Sequence, residues 1–471
     1  MQKLLLFITT TLLLVTNSYY STYGILVLLA FTIFETIKNK TKPNKLTLLA
    51  NTLLILSYLF SGIKALSLEP TLLLLLLVNN LSSIKIDKYL LAKLSKYLTI
   101  LFFILGVYQL LSTQFAYGPF INIFNTKEIY PNAFAALNLL LLPLNKGKIQ
   151  SLNIFNILIS KSRIGIIVTG LFYIYKIIVN KRNSKKFIIL GLMLILLPTA
   201  LINKTSQSTE FSSLDQRIEH WQNSPKLLNN IKVIALGYGA NSFSYIYPTV
   251  QQIPENQAPH SHNLIINLAV ENGLLFTALL ILMLIKRFKK LDGQYKAALL
   301  LFLIHNLVDL NIQFPLTIFI LLLIFNTESK SENAGSFISL SMNIFAIVIL
   351  LMSMSGNFYY GHKDELLRNN NQSSLTKYIQ ENPLDSKQLL KLDEKKYIKE
   401  VFEADPYSVD HLVTLLKYYP ETQLDPEWLE HYKEWYVSHS KYNLNYIHEK
   451  GTVEKLKNTF KLIDPEFANS L

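Results

Sequence analysis

Pro259–Gly273 reads PHSHNLIINLAVENG and sets two histidines, His260 and His262, directly against the start of a long apolar segment. From Leu264 to Ile285 the chain runs through Leu, Ile, Ala and Phe with a single carboxylate, Glu271, and Lys286, Arg287, Lys289 and Lys290 follow at once. This pattern predicts a membrane-spanning helix with a cytoplasmic exit. Asn263 suits the N-cap position, which places both histidines just outside the helix, where unpaired backbone N–H groups and the positive end of the dipole favour anions. Two readings stand at this point. The stretch is either an anion site at a helix mouth or an ordinary cap whose histidines mark the membrane interface.

The rest of the chain supports the bilayer. Of 471 residues, 50% are hydrophobic and 16% charged, more apolar sequence than one soluble core buries. The net charge of +13 falls in lysine clusters between apolar runs, as the positive-inside rule expects, and this argues against a nucleic-acid partner. With no cysteine, disulfides, thiolate metal sites and a cysteine nucleophile are excluded. Leu4–Val15 follows Lys3 without a small-residue cleavage site, and a second apolar run begins near Tyr23. The N-terminus therefore reads as a first span rather than a signal peptide.

Placing the basic segments Lys38–Lys45, Lys85–Lys96, Lys181–Lys186 and Lys286–Lys290 on one side pairs the apolar runs. Expected spans cover 4–17, 22–37, 46–62, 71–84, 97–113, 133–144, 149–159, 164–179, 187–202, 264–285, 299–310, 316–325 and 337–354. The expected fold is all-α: a polytopic helical bundle of about thirteen spans. Its N-terminus is cytoplasmic, and a large extracytoplasmic loop covers 203–262. Within that loop Leu214–Ile231 has the composition of an interfacial amphipathic helix, with Trp221 and the tyrosines 238, 245 and 247 at interfacial depth. Residues 1–355 form the membrane unit. From 356 to 471 the composition turns to mixed charge, predicting a soluble extracytoplasmic helical domain. Pro406, Pro426 and Pro465 each follow an aspartate at an expected helix start, and stacked helix pairs are one reading of their spacing.

Four further constellations gather toward the outer side. Ser162-Arg163 with Gly165 puts an arginine at the end of an apolar span, either a headgroup anchor or a cation at a site. Arg217 precedes Trp221 by one helical turn, which fits an interfacial helix with ordinary anchors as well as a binding face. Gly237-Tyr238-Gly239 is a turn whose backbone can approach a sugar or phosphate, or one that simply needs unusual dihedrals. His305 and Asp309 lie four apart and are expected to share a helix face, as a structural pair or as part of a binding site. No metalloprotease helix motif, Asp-x-Asp pair or cysteine set accompanies His260 and His262, so no metal and no cofactor is expected.

Taken in order, Tyr130-Pro131-Asn132, Ser162-Arg163-x-Gly165, Arg217-x-x-x-Trp221, Gly237-x-Gly239, His260-x-His262-Asn263 with Gly273, and His305-Asn306-x-x-Asp309 ending at Pro315 resemble the O-antigen ligase and polymerase superfamily. The resemblance covers roughly residues 97–326. Phe276 stands where the family often has a small residue or tyrosine, a departure that bears on helix packing.

The resemblance implies a metal-independent, inverting glycosyltransferase of the bacterial cytoplasmic membrane. Its donor would be an undecaprenyl diphosphate-linked glycan, and its acceptor a glycan, lipid or protein hydroxyl on the outer side. Arg163 and Arg217 would engage the diphosphate and His262 would serve as general base. His260, Asn263, Trp221, Gly237, Gly239, His305 and Asp309 would complete the substrate site. Protein O-oligosaccharyltransferases belong to the same superfamily and remain an alternative. A polytopic lipid or glycan transporter is the alternative from another class, and would call for discontinuous helices with charges at mid-membrane in both halves.

Overall fold

The structure, a computed structural model, describes residues 2–17, 20–39, 45–81, 84, 86–113, 118, 130–180, 213–252, 258–327, 337–354, 372–420, 422, 424–440 and 447–470. Among these it is helical throughout and contains no strand. The first group of helices is α1 (Gln2–Val15), α2 (Thr22–Asn39), α3 (Lys45–Leu59), α4 (Lys64–Asn80), α5 (Lys88–Thr113), α6 (Pro131–Leu141), α7 (Gly147–Ile159) and α8 (Arg163–Asn180). Short helices follow, α9 (Ser213–Asn223) and α10 (Ile231–Leu236), with a single further turn at Phe243–Ile246. Then come α11 (Leu264–Lys290), α12 (Gly293–Asn306), α13 (Pro315–Phe325) and α14 (Phe337–Met354). The C-terminal group is α15 (Gln372–Glu381), α16 (Glu394–Ala404), α17 (Val409–Tyr418), α18 (Pro426–Ser440), α19 (Ile447–Ile463) and α20 (Pro465–Ser470).

One apolar core joins α1–α6 with α11–α14, and α13 is its post. Every residue of α13 is buried, because from Leu316 to Phe325 only Thr317 is polar and no face of the helix prefers water. Proline starts it at Pro315, where its missing N–H is not needed. At eleven residues the post is about 16 Å long, half a hydrocarbon core. Two described helices are long and apolar enough to cross a membrane, Lys88–Ser112 and Leu264–Lys290. Large apolar side chains nonetheless point outward around the bundle, with Tyr108 70% and Leu111 83% exposed beside Phe7, Leu275 and Phe345. Such a surface is unfavourable in water and suited to acyl chains. A buried amide cluster bridges three helices: Asn145 and Asn153 both donate to Thr99 Oγ1, at 2.9 and 3.0 Å, and Asn153 and Asn156 donate to Asn138 Oδ1, locking α5, α6 and α7 together.

Several expected boundaries move. The fifth span begins nine residues early, since Lys88–Lys96 is already helical and not a loop. The interfacial helix expected to reach Ile231 ends at Asn223, where Pro225 turns the chain into a short 3-10 segment. The span opened by Asn263 is broken at Gly273, whose backbone has φ 82°. The expected span 187–202, residues 203–212 of the loop and residues 356–371 lie outside the described residues.

The C-terminal helices have their own core around Ile398, Phe402, Leu412, Tyr432, Trp435 and Phe460. Pro426 and Pro465 do start helices, each capped by the aspartate before it: Asp425 Oδ1 accepts from Glu427 N at 2.8 Å and Asp464 Oδ1 from Phe467 N at 3.0 Å. Pro406 does not. It lies in a turn, and Asp405 is buried in an ion pair with Lys387 at 3.0 Å. The group meets the rest of the molecule at Leu384, whose N–H donates to Gly62 O at 3.2 Å and whose side chain packs against the cluster of Leu227, Phe243, Ile246, Tyr247 and Val270.

Candidate active site

The mouth of α11 is built by short polar side chains acting on backbone. Asn263, extended at φ −150°, caps the helix by accepting from Ile265 N at 3.0 Å and Ile266 N at 3.1 Å. Its amide donates to Leu307 O at 2.8 Å, so the start of α11 is tied to the end of α12. Ser261 N donates to Asn267 Oδ1 at 3.1 Å, Ser261 Oγ donates to Asn263 O at 3.0 Å, and Trp221 Nε1 donates to Ser261 O at 3.0 Å. Held from three sides, the turn forces His262 into the left-handed region at φ 52°, a conformation that a non-glycine residue keeps only where its surroundings impose it.

Three imidazoles and a carboxylate meet there. The rings of His260 and His262 lie 4.4 Å apart, edge to face, and His220 from α9 lies parallel to His262 at 6.0 Å. His262 Nδ1 is 3.5 Å from Asp309 Oδ1. The side chain of His262 is 24% exposed while that of Asp309 is 7% exposed and His260 is buried, so His262 is the member open to a ligand. Burial drives His260 down to about 3, with His262 and Arg217 adding to the shift and Asp309 opposing it. His260 is therefore neutral across the physiological range.

His305 and Asp309 do not share a helix face as their spacing predicted. The helix stops at Asn306, whose Oδ1 accepts from Asn311 N at 2.8 Å. Asn311 Nδ2 donates to His305 Nδ1 at 3.3 Å, and Asp309 Oδ1 accepts from Leu310 N at 2.9 Å. Asparagine and aspartate favour such side-chain-to-backbone bonds over helix continuation, and the resulting turn swings Asp309 out to His262.

The other expected residues divide. Arg217, half-buried, stands one turn before His220 and Trp221 on α9, and its charge reaches His260. Gly237 and Gly239 go to the flank of α11: Tyr238 N donates to Val270 O at 3.1 Å and Gly239 N to Glu271 O at 2.8 Å. A Cβ on Gly237 would stand 2.3 Å from Glu271 O, and one on Gly273 2.2 Å from Ala235 O. The two glycines thus let α10 and the kink of α11 touch backbone to backbone. Arg163 opens α8, exposed, and among the described residues no hydrogen bond or ion pair ties it to the histidines. His220 escaped the sequence reading, since a lone histidine in a polar loop has no periodicity; its position between Arg217 and Trp221 was the available signal.

His260, His262 and Asp309 also offer ligand atoms within 4.8 Å of one another, two imidazoles and a carboxylate that could draw in a cation. The acidic partner missing from the sequence motif is supplied by the turn after α12.

Residues 151–282 match the O-antigen ligase family model, a segment running from α7 into α11 and including Arg163, Arg217, Trp221 and the histidine turn. No curated protein and no solved structure matches the chain.

Proposed function

We propose, from the match of residues 151–282 to the O-antigen ligase family model, that the chain is a membrane glycosyltransferase moving a glycan from undecaprenyl diphosphate to an acceptor hydroxyl, without a metal and with inversion. Glycan transfer of the O-antigen ligase or polymerase type is the family's chemistry; the donor, the stereochemistry and the residue roles are the proposal. The observation that carries it is the partly exposed His262 backed by a buried carboxylate at 3.5 Å. With Nδ1 turned to Asp309, the imidazole keeps Nε2 for substrate, and the carboxylate fixes the ring and stabilises the imidazolium that forms.

The acceptor O–H proton passes to His262 Nε2 while the acceptor oxygen bonds the donor's anomeric carbon. The bond from that carbon to the diphosphate oxygen breaks on the opposite face, and its electron pair leaves on the diphosphate. Arg217, beside the cluster, neutralises the charge that develops there. Arg163 is assigned the same task at the mouth of α8. On this reading residues 1–355 form the membrane unit with a cytoplasmic N-terminus and an outer loop at 203–262, and residues 356–471 form a soluble helical domain outside. The C-terminal helices, which pack through Leu384 against Tyr247 next to His220, are assigned to the acceptor, whether glycan, lipid or protein.

The test is reconstitution with undecaprenyl diphosphate glycan and separate glycan, lipid and peptide acceptors, with and without a chelator. Transfer to one acceptor, unchanged in the chelator, is the expected result. Activity lost to the chelator and restored by one cation would turn His260, His262 and Asp309 into a metal centre, and absence of transfer to every acceptor would overturn the assignment.

A further inference from the structure

α1 and α5 present one joint face to their surroundings. On α5 the exposed residues Tyr89, Lys93, Lys96, Ile100 and Ile104 recur at intervals of three and four, which puts them on one side of the helix. On α1 the exposed Lys3, Leu4, Phe7 and Ile8 share a side for the same reason. The ring of Phe7 stands 6.1 Å from that of Tyr97, and Lys3 lies near enough for its charge to act on Tyr89, so the two helices run in the same direction with their faces adjoining. Lysine comes first on both, and apolar side chains follow. Lys93 Nζ is 4.5 Å from the centre of the Tyr89 ring, and the charge of Lys96 also acts on that phenol, so three ammonium groups gather about one tyrosine. Among the described residues none of the three is ion-paired. The nearby carboxylates are engaged: Asp87 Oδ1 accepts from Tyr89 N at 2.9 Å, and Asp292 pairs with Lys88 at 2.6 Å. Asp292 joins α11 to α12, which puts the lysines a full helix length from the histidine turn that opens α11.

We propose that this face binds an anionic phospholipid, with its headgroup among Lys3, Lys93 and Lys96 and its acyl chains along Leu4, Ile8, Ile100 and Ile104. Three ammonium groups and a phenol at one level favour a headgroup with net negative charge over a zwitterion, whose own cation they repel. From Lys93 to Ile104 the helix rises about 16 Å, half a hydrocarbon core and so the depth of one leaflet. Two adjoining apolar faces of that length offer a bed for two acyl chains. A second copy of this chain fits less well, because a two-fold contact through the same face sets the lysines of one copy against those of the other. With the lysine clusters inside, the lipid belongs to the cytoplasmic leaflet. Donor and acceptor chemistry lie at the other end of α11, so the inference does not depend on the transferase reading.

Two measurements on the full-length protein test this. In the first, the protein in phosphatidylcholine nanodiscs is irradiated with a trace of phosphatidylglycerol carrying a diazirine in its acyl chains. Labelling concentrated on peptides from α1 and from Tyr97–Ile104, suppressed by added phosphatidylglycerol and not by added phosphatidylcholine, is expected. Equal suppression by both lipids, or labelling spread evenly over the lipid-facing helices, would overturn the site. So would ready disulfide cross-linking between copies by Ile104→Cys, which would give the face to a second chain. This arm needs no lysine variant. In the second, phosphatidylglycerol is titrated into the detergent-solubilised protein and bound lipid is read by native mass spectrometry. Lys3→Gln, Lys93→Gln and Lys96→Gln together should weaken the tightest binding about tenfold or more, whereas the control that removes the same charge, Lys286→Gln, Lys289→Gln and Lys290→Gln, should stay within about twofold. Equal weakening in both variants would leave only net charge as the attraction and overturn the site, as would unchanged binding in the first.

Discussion

At the scale of single residues, the cluster assigns unequal tasks to neighbours of the same type. His262→Ala should abolish or nearly abolish transfer while donor binding survives, whereas His260→Ala should cost about tenfold or less, because a buried neutral ring orients the turn without touching substrate. Asp309→Asn should lower kcat by roughly 10²-fold or more with KM little changed, since it disturbs the base and not the donor. Turnover and donor binding in one detergent preparation check all three; normal turnover in His262→Ala would refute the base. Arg217→Ala should raise donor KM and lower kcat, with only partial rescue by lysine, which lacks the planar fork. His260 also gives an acid-stability signature. Its folded value of about 3 lies below the unfolded 6.5, so the unfolded chain takes up the proton first. Stability is complete above about pH 6.5 and falls with acidification towards pH 3, by up to about 1.4 kcal/mol per pH unit. Melting between pH 7 and 4 should show this loss, and His260→Gln should reduce it. The histidine spacing and the cap at Asn263 were legible in the sequence. His220 and the route of Asp309 were not, because each depends on where a separate segment arrives.

At the scale of elements, the sequence pattern showed that apolar runs become helices but not where side chains stop them. Asn306 and Asn311 end α12 by bonding each other, and Pro225 cuts α9 short of its apolar period. The kink at Gly273 was hidden inside an unbroken hydrophobic run, since its cause is the close approach of α10. Gly273→Ala combines a positive φ with a Cβ placed 2.2 Å from Ala235 O. It should destabilise the protein by at least about 1–3 kcal/mol, read as a lower melting temperature, and it should lower activity by moving the histidine turn. Gly147 also has positive φ, but a Cβ there meets nothing within 4 Å, so Gly147→Ala is the matched control with the smaller loss.

At the scale of the whole molecule, composition was enough to read an all-helical bundle, while span count and sidedness rest on charge distribution. The chain lacks cysteine, so single cysteines report sidedness cleanly. Cysteines at Ser208 and Ser440 should label in intact cells with an impermeant thiol reagent and one at Asn183 should not; protection at Ser440 would reverse the placement of the C-terminal helices. The junction between those helices and the bundle was not legible, because Leu384 N and Gly62 O meet across more than three hundred residues. Gly62 has no side chain, and a Cβ there would stand 2.6 Å from Leu384 Cγ, so the fit admits one partner closely. That junction also orders events during synthesis. Residue 62 leaves the ribosome early and waits, its surroundings unfinished, until residue 384 has been made. The packing behind Tyr247, which meets the ring of His220, is completed only when this late part of the chain settles onto one of the oldest. A product truncated before residue 384 should therefore remain unfinished at this junction and reach proteolysis sooner than the full chain.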